Sequence, residues 1–121
     1  MKKEVIKTDK APAPIGPYNQ AVKTGNMVFI SGQIAINPST GELETGDLET
    51  ETKLVMENLK AILAEANCTF ENVIKTSIFI SDMNNFGKIN EIYGTYFRAD
   101  TAPARETVEV ANLPKFVNVE I

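Results

Sequence analysis

The longest periodic pattern of apolar residues in the chain spans residues 47–66. Its apolar positions are spaced three, four and seven residues apart, and charged residues occupy most positions between them. This spacing predicts an amphipathic helix, because residues at these intervals share one helical face. Asn67 follows directly and suits the left-handed conformation that commonly ends a helix. The apolar positions are Leu48, Val55, Leu59, Ile62, Leu63 and Ala66.

Strand patterns lie on both sides of this helix. Residues 18–24 and 27–31 flank the pair Gly25-Asn26, which predicts a hairpin because both residues tolerate the positive φ of a tight turn. Residues 72–80 alternate β-branched positions with other side chains and predict a third strand. At the N-terminus, residues 4–8 are short and mixed in pattern, and the proline-rich residues 11–17 predict an irregular arm.

A second helix and two further strands are predicted in the last third of the chain. Asp82 or Asn84 can cap the helix, and Pro103 lies beyond its end. Residues 105–111 and 116–121 predict strands separated by a turn at 112–115. The order is ββ(β)αβαββ, an α+β fold with one mixed sheet, and residues 1–121 are expected to form a single domain. The apolar positions of the second helix are Phe86, Ile89, Tyr93, Tyr96 and Phe97.

One face of the predicted sheet has no helix in this chain to cover it. Crossovers of the usual hand place both helices on the same face. Phe29 and Phe79 would then point from the other face, in strands that are apolar on both sides. An uncovered apolar face of roughly several hundred Å² predicts a homo-oligomer packed sheet to sheet. The alternative is that Phe29 and Phe79 are tolerated surface residues.

The composition narrows the chemistry further. The chain contains no histidine, which excludes Ser-His-Asp and Cys-His systems and histidine-ligated metals. Cys68 is the only cysteine, so no intrachain disulfide or thiolate cluster can form. A net charge of −4 without a basic run argues against nucleic acid. No apolar stretch is long enough for a membrane span, and residues 1–10 are too polar for a secretory signal, so we expect a cytoplasmic location.

Arg105 and Glu120 are the leading candidates for chemistry. If residues 105–111 and 116–121 pair antiparallel, the two side chains approach the same end of the sheet. A guanidinium can grip a substrate carboxylate with two parallel donors, and the acid can orient a water. The alternative for Arg105 and Glu120 is a surface ion pair. Tyr18 and Ser31 either line a pocket or are ordinary polar strand positions, and Gly32 is either a turn residue or a substrate contact.

Several motifs resemble the reactive intermediate deaminase A family, also called the YjgF family. The resemblance runs from about residue 11 to 121, with the motifs in the family's order and spacing. It implies a chorismate-mutase-like two-layer fold that assembles as a homotrimer around a central barrel, with pockets between neighbouring subunits. The motifs are Ile15-Gly16-Pro17-Tyr18, Ile30-Ser31-Gly32-Gln33, Pro103-Ala104-Arg105, Val108-Glu109-Val110, Leu113-Pro114-Lys115 and the ending Val119-Glu120-Ile121.

The resemblance also implies an activity and its residues. The family hydrolyses 2-enamine and 2-imine acids, such as 2-aminoacrylate, 2-iminopropanoate and 2-iminobutanoate, to 2-oxo acids and ammonia, without a metal or cofactor. By position, Arg105 would bind the substrate carboxylate and Glu120 would position or activate the attacking water. The other implied substrate contacts are Tyr18, Ser31, Gly32, Asn90 and Thr107.

The chain departs from the family pattern at three places. Thr107 replaces a common cysteine, and this should matter little where the contact is made through the backbone. Phe116 replaces a small or polar residue and is expected to share a face with Glu120, so that it either narrows the pocket or alters its rim. The sequence stops at Ile121, where relatives continue their last strand, so Glu120 is expected to be held less firmly.

Two other functions compete with the deaminase. The same arginine pocket would serve a non-catalytic trimeric module that binds small carboxylates for regulation. Nucleic acid cleavage or translation inhibition, proposed for relatives, is disfavoured by the net charge of −4 and the absence of a basic stripe.

Overall fold

A computed structural model of the chain, which describes residues 1–121, contains six strands and two α-helices. The predicted α+β class is confirmed. Two short 3₁₀ helices lie at Phe70–Asn72 and Met83–Asn85, and residues Pro114–Phe116 form a tight turn with non-helical backbone angles. In chain order, the elements are β1 (Glu4–Ile6), β2 (Ala21–Thr24), β3 (Met27–Ile30), α1 (Leu48–Glu65), β4 (Lys75–Ile80), α2 (Phe86–Gly94), β5 (Ala104–Glu109) and β6 (Val119–Glu120).

The first sheet is antiparallel and has the order β1-β2-β3. The predicted hairpin is confirmed, and Gly25 in its turn has a φ of 58°. Both hairpin strands are shorter than predicted, because residues 18–20 belong to the irregular arm and Ser31 lies past the last pair. The mixed N-terminal stretch adds an edge strand, β1, which pairs with β2.

The second sheet has the order β5-β4-β6, which corrects the predicted pairing of the last two strands. β5 runs parallel to β4, as expected for two strands joined through a helix, and β6 runs antiparallel along the other edge of β4. The strands that carry Arg105 and Glu120 are therefore separated by β4 and are not neighbours. The parallel crossover through α2 determines this order, and the short turn at residues 112–115 does not.

The chain forms two three-stranded sheets where one sheet of five or six strands was predicted. A single backbone pair links them: the Gln33 N–H donates to the Ile121 carbonyl at 2.8 Å, and the Ile121 N–H donates back at 3.1 Å. The link lies beside β6, so the strand that carries Glu120 joins the two sheets.

The segment before β6 is not the predicted strand over residues 116–121. Lys115 and Phe116 both have a φ near +55°, the left-handed region that a strand cannot contain. Each such non-glycine residue costs roughly 1–2 kcal/mol of backbone strain. Phe116 is 81% exposed, lies outside β6 and does not share a strand face with Glu120.

The first helix follows its predicted bounds closely. Asp47 caps α1 by accepting the backbone N–H groups of Glu49 and Thr50, and Asn67 adopts a φ of 58° after the last turn. The predicted strand over residues 72–80 starts later, at Lys75, because Thr69 caps the 3₁₀ helix Phe70–Asn72.

The second helix ends before the last two aromatic positions of its predicted pattern, Tyr96 and Phe97. Asp82 caps a 3₁₀ turn that leads into α2, and α2 ends at Gly94. Tyr96 and Phe97 lie beyond the helix, where both rings pack edge-on against Phe70.

Both helices pack on one side of the sheets, as predicted. The main core includes Val55 and Met56 of α1, Ile89 of α2 and Ile78 and Ile80 of β4. The other face of the sheets has no helix, and Phe29 is 59% exposed there. The other apolar side chains exposed on this uncovered face include Val5, Met27 and Val108.

Neither helix is long and apolar enough to cross a membrane.

Candidate active site

Arg105 lies near the start of β5 and points toward the helices. Its Nη1 donates to the Asn90 Oδ1 of α2 at 2.7 Å. The guanidinium carbon lies 5.5 Å from the ring centre of Phe86 and 5.1 Å from that of Tyr93, within the range of a cation–π contact. Since Arg105 is exposed and only one bond is made inside the chain, the remaining donors are available to a ligand.

The structure brings Arg105 together with Asn90 and also reveals two neighbours that the sequence did not indicate. Phe86 and Tyr93 fit the helical pattern of a core stripe, so their contact with the guanidinium was missed. The Tyr93 hydroxyl shares a hydrogen bond of 2.7 Å with the Thr76 hydroxyl, which fixes the ring. The sequence feature that could have indicated these neighbours is the spacing of residues 86, 90 and 93, which places Phe86 and Tyr93 with Asn90 on one helical face.

Thr107 lies two residues further along β5 and faces the same side as Arg105. Its hydroxyl oxygen is buried and has no hydrogen-bond partner. Nearly all buried side-chain oxygens find a partner, so this hydroxyl is an unusual feature of the strand.

Glu120 is in β6 and lies against the backbone of Gly32. A side chain at position 32 would bring its Cβ to 2.8 Å from the Glu120 Oε2, so any other residue there would displace the carboxylate from this position. The Glu120 side chain is half-buried, and this burial raises the pKa of its carboxyl above the ordinary value. A carboxyl with a raised pKa is well suited to accept and return a proton.

Ser31 and Tyr18 lie in the segments beside Gly32. The Ser31 hydroxyl donates to the Asn19 carbonyl at 2.6 Å, and the Ser31 N–H donates to the Gln20 carbonyl at 2.9 Å. The Tyr18 hydroxyl accepts the Ile15 N–H at 3.3 Å, and the ring is half-exposed. Ser31, Gly32 and Glu120 thus form one group, with Tyr18 in the adjoining arm.

Arg105 with its neighbours and Glu120 with its neighbours, the Arg105 group and the Glu120 group, lie on opposite faces of the second sheet. Arg105 pairs with Thr76 and Glu120 pairs with Phe79, and directly paired residues share a face. Thr76 and Phe79 are three positions apart, so they point to opposite sides of β4. The prediction that Arg105 and Glu120 approach the same end of the sheet within one chain is therefore wrong.

Two cavities lie largely outside the surroundings of Arg105 and Glu120. One of about 610 Å³ lies between β3 and β4 and is lined mostly by apolar side chains; it touches Gly32 among the predicted site residues, and Thr76 and Tyr93 behind Arg105. Another of about 720 Å³ lies between the N-terminal arm and α1 and touches none of them. No three acidic or cysteine side chains converge to form a metal-binding group. The polar groups around Arg105 and Glu120 are therefore the better candidates.

Comparison with known proteins gives a match over nearly the whole chain. The family model described as endoribonuclease L-PSP matches residues 8–121. A RutC family protein of Pyrococcus abyssi is 52% identical over 121 residues, which are 100% of this chain and 94% of that protein.

Two further relatives carry more specific descriptions. A mouse protein named 2-iminobutanoate/2-iminopropanoate deaminase is 49% identical over 119 residues, covering 98% of this chain and 87% of its own length. The crystal structure of E. coli TdcF with bound serine superposes with a TM-score of 0.90 at 44% identity, covering 97% of this chain and 93% of TdcF.

Proposed function

The chain belongs to the endoribonuclease L-PSP family, together with RutC and YjgF proteins, and from this membership we propose that it hydrolyses 2-imino and 2-enamino acids. The products are the 2-oxo acid and ammonia. The proposed substrates are 2-aminoacrylate with its tautomer 2-iminopropanoate, and 2-iminobutanoate. The mouse and rat relatives named for this activity, at 49% and 47% identity, support the assignment.

The observation that carries the proposal is the held guanidinium of Arg105. Asn90 and the rings of Phe86 and Tyr93 fix its orientation and leave donors free. A guanidinium in this state can bind a carboxylate through two parallel hydrogen bonds. Every proposed substrate carries one carboxylate beside the carbon that reacts. Bound serine in the structure of the E. coli relative is likewise a small amino acid with a carboxylate.

Glu120 is proposed to act on the attacking water. It accepts a proton as the water oxygen bonds to the imine carbon and the C=N electron pair moves to nitrogen. Glu120 returns that proton to the nitrogen of the carbinolamine. The C–N bond then breaks as the hydroxyl oxygen forms the C=O bond of the 2-oxo acid, Glu120 accepts the hydroxyl proton, and the departing ammonia takes this proton from Glu120 and leaves as ammonium. Since a protonated imine carbon is already electrophilic, orientation and one proton carrier supply most of what is required. Tyr18, Ser31, Gly32 and the Thr107 backbone are proposed to line the pocket.

A complete site then requires a second copy of the chain. Arg105 and Glu120 are on opposite faces of one sheet, so one chain offers two half-sites. The face that carries Glu120 also exposes Phe29 and Val108 and has no helix over it. We propose a homo-oligomer, a trimer as the family resemblance implies, in which the Arg105 group of one subunit faces the Glu120 group of its neighbour.

Cleavage of RNA is not part of this proposal, although the family description names an endoribonuclease. The chain carries 12 basic and 16 acidic residues, and nucleic-acid affinity depends on neutralising phosphates with clustered cations.

The activity is tested by a coupled assay. A serine dehydratase generates 2-aminoacrylate, and loss of the imine is followed by absorbance with and without this protein. The proposal predicts faster loss in proportion to the protein added. Tight 2-oxobutanoate binding without any acceleration would instead support the non-catalytic binding module and overturn the enzyme assignment.

A further inference from the structure

Glu51 is a fully buried acid in the first turns of α1 and has no role in the site described above. Its relative exposure is 0%. A buried carboxylate is costly unless strong hydrogen-bond donors compensate it. None of the ion pairs in the chain involves Glu51, so its compensation comes from neutral donors.

Both carboxylate oxygens of Glu51 bind the same residue, Asn118. The Asn118 backbone N–H donates to Oε2 at 2.8 Å, and the Asn118 side-chain amide donates to Oε1 at 2.7 Å. Asn118 is 67 positions away in the chain. A two-point contact of this kind fixes both the position and the orientation of the Asn118 backbone.

The segment that Glu51 holds is short and leaves regular backbone geometry just before it enters β6. β6 contains only two residues, and Lys115 and Phe116 before it are both in the left-handed region. Strained backbone of this type persists only where surrounding contacts determine it. The Asn118 carbonyl accepts one further bond, from the Ser81 N–H at 3.2 Å. The two bonds from Asn118 to Glu51 are thus the side-chain hydrogen bonds that hold the entrance to β6, between the buried side chains of Val117 and Val119.

We propose that Glu51 is a positioning residue for Glu120, which follows Asn118 by two positions. By holding Asn118, Glu51 fixes the start of β6 and hence the distance of the Glu120 carboxyl from Gly32 and from a bound substrate. The expected effect of Glu51 on catalysis rests on the proposed function. The effect of Glu51 on the surroundings of the Glu120 carboxyl does not depend on that function.

Glu51→Leu removes both acceptors and keeps an apolar side chain of similar size. We expect kcat for imine hydrolysis to fall about 10-fold or more while KM changes by less than about twofold, because substrate binding depends on Arg105. In ¹³C NMR titrations, the Glu120 carboxyl should titrate closer to the ordinary glutamate value, since a displaced β6 exposes it. Glu51→Gln should restore both readouts, because its amide oxygen accepts the Asn118 N–H and the Asn118 amide can rotate to pair with it.

Thr52→Ala is the matched control, since Thr52 is also fully buried in α1 but binds only the Leu48 carbonyl of its own helix. Thr52→Ala should lower stability without changing the pKa of the Glu120 carboxyl.

Asn118→Ala removes only the side-chain half of the contact and serves as the test if Glu51→Leu does not fold. It should shift the Glu120 pKa in the same direction as Glu51→Leu, by a smaller amount. The proposal is overturned if folded Glu51→Leu or Asn118→Ala leaves the Glu120 titration as in the wild type, or if Thr52→Ala moves it equally. A wild type without deaminase activity would refute the proposed function alone, because the titration needs no turnover.

Discussion

Arg105→Ala is expected to lower kcat/KM for 2-iminopropanoate hydrolysis by about 10²-fold or more. In the proposed oligomer the neighbouring subunit covers the ion pair between Arg105 and the substrate, and loss of one partner from a buried ion pair typically costs about 2–5 kcal/mol. Most of the loss should appear in KM, since the carboxylate that Arg105 is proposed to bind is present in both the substrate and the transition state. The coupled dehydratase assay at several rates of imine supply measures both constants. Isothermal titration with 2-oxobutanoate gives an independent value for the loss of carboxylate binding.

The matched control for this prediction is Arg105→Lys. Lysine keeps the positive charge but lacks the planar pair of donors and the stacking on Phe86 and Tyr93. It should recover only part of the affinity. Full activity in Arg105→Ala would show that the carboxylate binds elsewhere.

Glu120→Gln is expected to reduce kcat by about 10²–10⁴-fold, the usual contribution of a positioned proton carrier. The amide is nearly the same size as the acid, so the space beside Gly32 stays filled and 2-oxobutanoate binding should change little. The measurement is a single-turnover rate of imine loss at saturating protein. A variant with near wild-type kcat would exclude Glu120 as the proton carrier.

The raised pKa of Glu120 sets the sign of two pH effects. Because the ionised form accepts the proton, wild-type kcat should rise with pH through the raised pKa, and this limb should disappear in Glu120→Gln. Burial also makes the ionised form unfavourable in the folded state. The pKa of Glu120 is therefore higher in the folded chain than in the unfolded chain. The stability gained from this difference is fully present below the unfolded pKa, and it is lost as the pH rises through the folded pKa. Near pH 7, Glu120→Gln should consequently have a modestly higher Tm than the wild type.

Local pattern predicted the elements better than it predicted their arrangement. The hairpin around Gly25 and the limits of α1 follow from turn chemistry, capping and helical spacing, which act over a few residues. The order β5-β4-β6 depends on how a crossover packs over the sheet. The short turn at residues 112–115 suggested a different pairing, and this placed Arg105 and Glu120 on adjacent strands.

The site shows the same division. Arg105 and Glu120 were weak candidates from spacing, and the family resemblance raised them above an ordinary surface pair. The contact of Asn90 with Arg105 joins residues 15 positions apart on two elements. Helical spacing places Asn90 on one face with Phe86 and Tyr93, but it does not indicate that Arg105 lies against that face. Glu51 was missed because an acid inside an amphipathic helix is normally solvent-exposed. Its burial follows only from the contact with Asn118, which requires the complete fold.

The central claim is that Arg105 of one subunit works with Glu120 of another, and it can be tested by mixing two inactive variants. Arg105→Ala and Glu120→Gln are unfolded together in equal amounts, refolded and assayed as imine deaminases. In a randomly assembled cyclic oligomer, about one quarter of the shared sites would contain both native residues, so about one quarter of wild-type activity should return. Each variant refolded alone should stay inactive. If the mixture is no more active than its components, although sedimentation shows that the two chains co-assemble, Arg105 and Glu120 do not act across a subunit interface.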